Sequence, residues 1–105
     1  MLIQINTDKH IDGSDASIAH FSGVIKDILS RYEEYITRVE AHLSDENGER
    51  NAGADKKCLL EVRKKGSDPI VVSSIEESMH KAVKSSAEKM ASLIEKALEK
   101  KRVQS

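Results

Sequence analysis

Between Ile36 and Arg63 the chain reads as a strand, an acidic loop and a second strand: ITRVEAHL, SDENGERNAGAD, KKCLLEVR. In the first run Val39, Ala41 and Leu43 alternate with Arg38, Glu40 and His42. In the second, Cys58, Leu60 and Val62 alternate with Lys57, Leu59, Glu61 and Arg63. A period of two sends one set to a buried sheet face and the other toward water. A chain with this hairpin at its centre must build a sheet with one dry face, and the remaining segments must cover it.

Two segments are suited to that cover. Ile18, Phe21, Ile25, Ile28, Tyr32 and Tyr35 recur at spacings of three and four, which predicts an amphipathic helix from Asp15 to about Tyr35. Gly23 is a mild weakness inside it, and Ser14 or Asp12 stands ready to cap it. Met79, Val83, Ala87, Met90, Ile94 and Ala97 form a second apolar stripe that ends near Leu98. Ser74 and Glu77 have the spacing of a capping box and predict the start of this helix, while the tail KKRVQS is expected to fray.

LIQIN at 2–6 and IVVSS at 70–74 are the remaining strand candidates. The second follows a GSDP turn, in which Pro69 fixes its own backbone and biases Asp68 to extended geometry. The loop at 44–55 is long, glycine-containing and acidic, which predicts mobility unless Asn47–Gly48 tightens it into a shorter turn.

The order is therefore β-α-β-β-β-α. A strand–helix–strand start implies a right-handed crossover that joins the first two strands in parallel. The expected fold class is α+β: a two-layer sandwich of a four-stranded sheet with two helices on one face, the other face left open. A length of 105 residues supports one modest core, so a single domain is expected over 1–102, with 103–105 as a frayed tail. Only three aromatic residues occur, which leaves the core to aliphatic side chains.

Charge excludes some functions. With 17 Lys and Arg against 18 Asp and Glu, the net charge of −1 does not describe a uniformly basic nucleic-acid binder. The distribution is uneven, however. Residues 1–55 hold 5 basic and 11 acidic side chains, and residues 56–105 hold 12 and 7, giving an acidic front and a basic back. The single Cys58 points inward on a strand and fits a reducing cytosol. No membrane span and no secretory leader is evident, so a cytoplasmic protein is expected.

Catalytic and cofactor chemistry finds no foothold. His10, His20, His42 and His80 are scattered without the i,i+4 helical spacing of a zinc site, and Cys58 lacks a partner motif, so no metal or cofactor is expected. An inward strand cysteine reads as inert packing rather than a nucleophile. Asp45 and Glu46 lack the ligand spacing of a calcium loop, and the five glycines are isolated from one another. The reading is of a protein that is not an enzyme and has no small-molecule substrate.

The last helix carries the candidate binding surface. At roughly 100° per residue, Lys89, Lys96 and Lys100 fall within about 40° of one another, with Ser85 and Ser92 beside them. Glu88, Glu95 and Glu99 form a separate stripe about 100° away. Lys84 and Arg102 share a third position nearer the core edge. Solvated helix faces commonly interleave opposite charges at i,i+4. Here the signs are partly sorted, leaving a lysine ridge suited to phosphate contact. Lys26 and Arg31 on the first helix point away from its apolar stripe and extend the basic surface. A helix simply kept soluble by its charges is the plainer alternative.

Together, the element order, the RYEEYITRVEAHLSDENG passage, the KKCLLEVR strand and the PIVVSS-to-helix junction resemble the ribosome hibernation-promoting factor family. That family is also described as ribosome-associated inhibitors or ribosomal subunit interface proteins. The resemblance is to its short form and runs from Leu2 to about Lys101. It implies a cytoplasmic stress or stationary-phase protein that binds the small ribosomal subunit in the channel used by messenger and transfer RNA. Basic side chains on the helices would face ribosomal RNA, blocking translation and preserving idle ribosomes. The matching positions are Lys89, Lys96 and Lys100, with Lys26 and Arg31 as weaker matches.

The sequence also departs from the family. Ser92 stands where the family commonly has arginine, Ile18-Ala19-His20 where Leu-Arg is usual, and His80 where tyrosine is often found. Nothing follows Ser105, so the pairing domain of long-form members is expected to be absent. A second reading, from a different class, is a protein-interaction module or weak homodimer that uses the open sheet face, where Leu59 and Val71 would be partly exposed, with weak or no RNA binding.

Overall fold

The computed structural model describes residues 1–46 and 55–104, with side chains described as far as Lys100. Most of the acidic loop, including Asn47–Gly48, lies outside the described residues. The elements are β1 (Leu2–Thr7), α1 (Asp15–Leu29), a 3-10 turn (Ser30–Tyr32), β2 (Ile36–Asp45), β3 (Lys56–Lys64), β4 (Ile70–Glu76) and α2 (Met79–Gln104). They form one sheet in the order β1-β2-β3-β4, with β1 parallel to β2 and the other neighbours antiparallel.

The alternation in the central hairpin sorts the two faces. Val39, Ala41 and Leu43 of β2 and Cys58, Leu60 and Val62 of β3 are buried in one cluster with Ile25 and Leu29 of α1 and Val83, Ala87, Met90 and Ile94 of α2. One cluster fed by both helices means both lie on the same sheet face. Fully burying each large aliphatic side chain contributes about 1.5–3 kcal/mol. A buried hydrogen bond stitches the layers together: Ser86 Oγ on α2 donates to the Cys58 carbonyl at 2.9 Å.

Strict alternation fails at one place. Ile36 and Val39 are both buried, although an odd step of three would put them on opposite faces. The β2–β3 register shifts between Ile36 and Arg38, and Thr37 Oγ1 donates to the Arg63 carbonyl at 3.0 Å. An extra residue in one strand restores the parity, so a bulge lets Ile36 reach the core.

Both helix starts carry caps. Ser14 Oγ accepts from the Ser17 amide at 3.3 Å, while Asp12 accepts from the Ser14 amide at 2.9 Å and the Ser17 hydroxyl at 2.8 Å. Both expected caps thus share the task, and the bonds from Ser14 and Ser17 hold the Asp12 carboxyl below its usual range.

At α2 the expected capping box is overturned. β4 pairs with β3 as far as Glu76, and Ser74 is buried on the inward side, its hydroxyl donating to Ser85 Oγ at 3.0 Å. The cap is Ser78, whose Oγ accepts from the Lys81 amide at 3.1 Å. A β3 long enough to pair every residue of β4 outcompetes the local capping signal.

Two boundaries move for similar reasons. The first helix ends at Leu29 rather than near Tyr35. Ser30 Oγ donates to the Asp27 carbonyl at 3.2 Å, and the Glu33 amide bonds Ser30 O at 3.1 Å, tightening the last turn to 3-10 geometry. α2 instead continues past Leu98, where its apolar stripe ends, through Gln104. At the β3–β4 turn Gly66 has φ of 67°, the left-handed conformation that glycine adopts without steric cost.

Candidate functional site

α1 and α2 lie side by side and run in the same direction: His20 meets His80 near one end, and Tyr32 meets Glu95 farther along. This arrangement decides what each flank of α2 faces. Toward α1, Glu95 Oε2 accepts the Tyr32 hydroxyl at 2.8 Å. Toward the sheet edge, Lys89 Nζ donates to the Ser73 carbonyl of β4 at 2.9 Å. Burial, and then the bond to Glu95, push the Tyr32 hydroxyl pKa up.

Lys89, Lys96 and Lys100 are all exposed, and by helical spacing all belong to the β4 flank. None of the three appears in an ion pair among the described residues. The charge sorting read from the wheel thus acquires a direction: lysines over the sheet edge, and a carboxylate turned against the neighbouring helix.

The other candidates fall elsewhere. Lys84 is exposed and by spacing lies on the α1 flank of α2, apart from the three lysines. Arg31 is exposed, with its guanidinium 5.4 Å from the Tyr32 ring centroid, close enough for a cation–π contact. Lys26 projects from the side of α1 opposite His20 and Arg31, at the outer margin of the helical layer. The fold therefore groups Lys89, Lys96 and Lys100, brings Arg31 and Lys84 to the seam between the helices, and leaves Lys26 at the far side.

Two further cations were missed in the sequence. Lys64 and Lys65, just before the β3–β4 turn, line a cavity of about 70 Å³ with Tyr35, Ile94, Ala97 and Leu98. They add positive charge at the end of the molecule where Lys96 and Lys100 stand. The adjacent pair before GSDP was visible, but only the packing of α2 over that turn joins it to the helix.

The open sheet face has a different electrostatic character. Arg38 pairs with Glu40 at 2.9 Å and also bonds Gln4, and Arg63 pairs with Glu61 at 3.0 Å. At the hairpin end Lys56 lies between Asp55 at 2.8 Å and Asp45 at 3.1 Å, bonds that raise its pKa, and Lys57 pairs with Glu46 at 3.3 Å. These cations already face carboxylates, in contrast to Lys89, Lys96 and Lys100 on α2. Cys58 is buried, and desolvation pushes its thiol up to about 11, which keeps it protonated and unreactive at neutral pH. No helix among the described residues is long and apolar enough to cross a membrane.

A four-stranded mixed sheet roofed on one face by two co-directional helices, with lysines displayed at the layer's edge, defines a charge-presenting α+β domain. The chain belongs to the Sigma 54 modulation protein / S30EA ribosomal protein family, whose model matches residues 3–102. This is a family of ribosome-associated proteins, not of enzymes, and the resemblance read from the sequence holds.

Among solved structures the chain is similar to a ribosomal subunit interface protein from Coxiella burnetii, with a TM-score of 0.74 and 20% identity over 92% of this chain and 97% of that one. It is also similar to the Thermus thermophilus Protein Y N-terminal domain, with a TM-score of 0.71 and 14% identity over 91% of this chain and 98% of that one. At such identities the likeness concerns the fold. Comparison with curated proteins finds no match.

Proposed function

We propose that this chain is a cytoplasmic ribosome-hibernation factor that docks its basic helices on small-subunit ribosomal RNA and silences translation. The observation that carries the reading is the sorted charge of α2. Lys89, Lys96 and Lys100 share one exposed flank without a carboxylate partner among the described residues, while Glu95 is engaged by Tyr32. Arg31, Lys84 and Lys26 extend the contact across the helical layer. Recognition of folded RNA by shape and phosphate needs Lys and Arg side chains but no catalytic group. Among the described residues the open sheet face has no aromatic platform for stacking bases, and its arginines are matched by neighbouring glutamates.

Sucrose-gradient sedimentation with ribosomes tests this reading. Three phosphate contacts alone weaken binding roughly 20- to 40-fold between about 50 and 200 mM salt. Binding that falls with salt, and falls further in a Lys89→Glu, Lys96→Glu, Lys100→Glu variant, is the expected result. Salt-independent binding, or a triple variant that still co-sediments like the parent, rules the surface out.

A second reading has its own support. Val71 and Ile75 on β4 are 54% and 47% exposed, on the same open face as Leu59. Neighbouring apolar side chains ringed by charge suit a protein partner or a second copy of the chain. A concentration-dependent dimer broken by Leu59→Lys, without ribosome binding, would favour it.

A further inference from the structure

The fold brings two histidines 60 positions apart to one point. His20 Nε2 on α1 and His80 Nδ1 on α2 are 3.0 Å from each other, with ring centroids 5.2 Å apart and planes inclined by 32°. Both side chains are exposed, and the neighbouring Phe21 ring packs in a T-shaped arrangement with His20, their centroids 5.3 Å apart. The helices beneath are fixed by fully buried Ile25 and Val83. Neither ring belongs to the lysine flank, and the two meet through a ring-to-ring hydrogen bond.

We propose that His20 and His80 form a chelating site for a late first-row divalent metal of the Ni²⁺ or Cu²⁺ kind, strapping α1 to α2. Imidazole nitrogen is a preferred donor for these ions. A metal bound about 2.0–2.1 Å from each nitrogen would subtend roughly 95° across the observed 3.0 Å separation. That is a workable angle at a shared ion once the rings turn toward it. With two protein nitrogens and no group of three or more ligating side chains among the described residues, a closed four-ligand zinc site is not available, and water or an outside donor completes the coordination.

The proton balance is simple. In the metal-free pair one neutral ring donates its N–H to the other's lone pair. On binding, the donor ring exchanges that proton through solvent to its other nitrogen, and both rings, still neutral, turn their lone pairs to the shared ion. Lys81, the nearest cation in sequence, is paired with Glu77 at 3.7 Å, while exposed Lys84, one turn beyond His80 on the same flank, is a cation that a bound metal has to tolerate. His80 lies in the first turn of α2, where the partial positive charge of the helix start weighs against a cation, so the two imidazole bonds have to outweigh it.

The test is calorimetric titration of the full, untagged chain with NiCl₂, alongside thermal unfolding. One Ni²⁺ per chain and a rise in Tm with metal concentration are expected. His20→Ala and His80→Ala should each weaken binding by at least about tenfold, because one imidazole no longer chelates. His10→Ala and His42→Ala should leave it unchanged. Far-UV circular dichroism of the metal-free variants confirms that they fold. No saturable binding up to millimolar Ni²⁺, single variants that bind like the parent, or loss of binding in the His10 or His42 controls would each overturn the site.

Discussion

Tyr32 and Glu95 join the two helices through a 2.8 Å hydrogen bond from a buried ring to a carboxylate on the flank of α2 that faces α1. A hydrogen bond to a charged acceptor contributes about 1.5–3 kcal/mol, so Tyr32→Phe should destabilise the fold by roughly that amount in denaturant unfolding. The raised pKa of Tyr32 has an optical consequence. Alkaline titration followed by tyrosinate absorbance should show Tyr32 ionising above the ordinary tyrosine range, a late component that Tyr32→Phe removes. Absence of that late component would mean that Tyr32 is neither buried nor bonded to Glu95 in solution.

Ser92 is exposed on α2 beside the lysine flank. Ser92→Arg places another cation between Lys89 and Lys96 without disturbing the core. The expected outcome is tighter ribosome binding and a log–log salt dependence steeper by about 0.7–0.9, the increment for one phosphate contact. Sedimentation at several salt concentrations measures that slope, and an unchanged slope would remove Ser92 from the RNA-facing surface.

Cys58 gives the protein an alkaline weakness. Burial raises its thiol from 9.0 to about 11, so the native state keeps a proton that the unfolded chain releases. The sign follows from linkage: stability is unaffected below pH 9 and declines as pH rises toward 11. Cys58→Ala should flatten this decline in urea unfolding series across that window. At neutral pH the native thiol should resist thiol reagents and react only after denaturation.

The α2 start separates two serines four positions apart. Ser78→Ala removes the helix cap and should cost about 0.5–2 kcal/mol. Glu77→Gln should cost little, since Glu77 makes only an exposed i,i+4 pair with Lys81. Ser74→Ala would act through its buried bond to Ser85 instead. Thermal unfolding of the three variants distinguishes a Ser78 cap from a Ser74 capping box, which would make Glu77 important.

The hairpin was legible because alternation is a local property that survives any packing: Val39 to Leu43 and Cys58 to Val62 fall on the dry face as written. Ser74 was misread because its capping signal is also local, whereas the pairing of Lys56 with Glu76 that keeps it in a strand is not. The parity break at Ile36 was hidden for the same reason, since a bulge is defined by the partner strand.

The lysine ridge was legible as a grouping on one helix, but a wheel gives angles relative to its own apolar stripe and not the identity of the neighbours. Only the co-directional packing of α1 and α2 turns Lys89 toward β4, Lys84 toward the seam, and Lys26 to the opposite margin. His20 and His80 could not have been paired from spacing, because nothing in a separation of 60 residues encodes proximity.

The Lys89 ammonium seated on the Ser73 carbonyl has a bearing on solubility. β4 closes the sheet on one side, and the uncovered rim of a sheet invites another strand to add to it unless a charge discourages the approach. Lys89 acts there as a gatekeeper, making an incoming backbone displace a hydrated cation before it can reach that acceptor. Drawing Lys89 away to a phosphate, or reversing its sign, unguards the rim beside Val71 and Ile75. Variants made to weaken polyanion binding will therefore tend to self-associate, and their monomeric state has to be verified before lost ribosome binding is ascribed to charge.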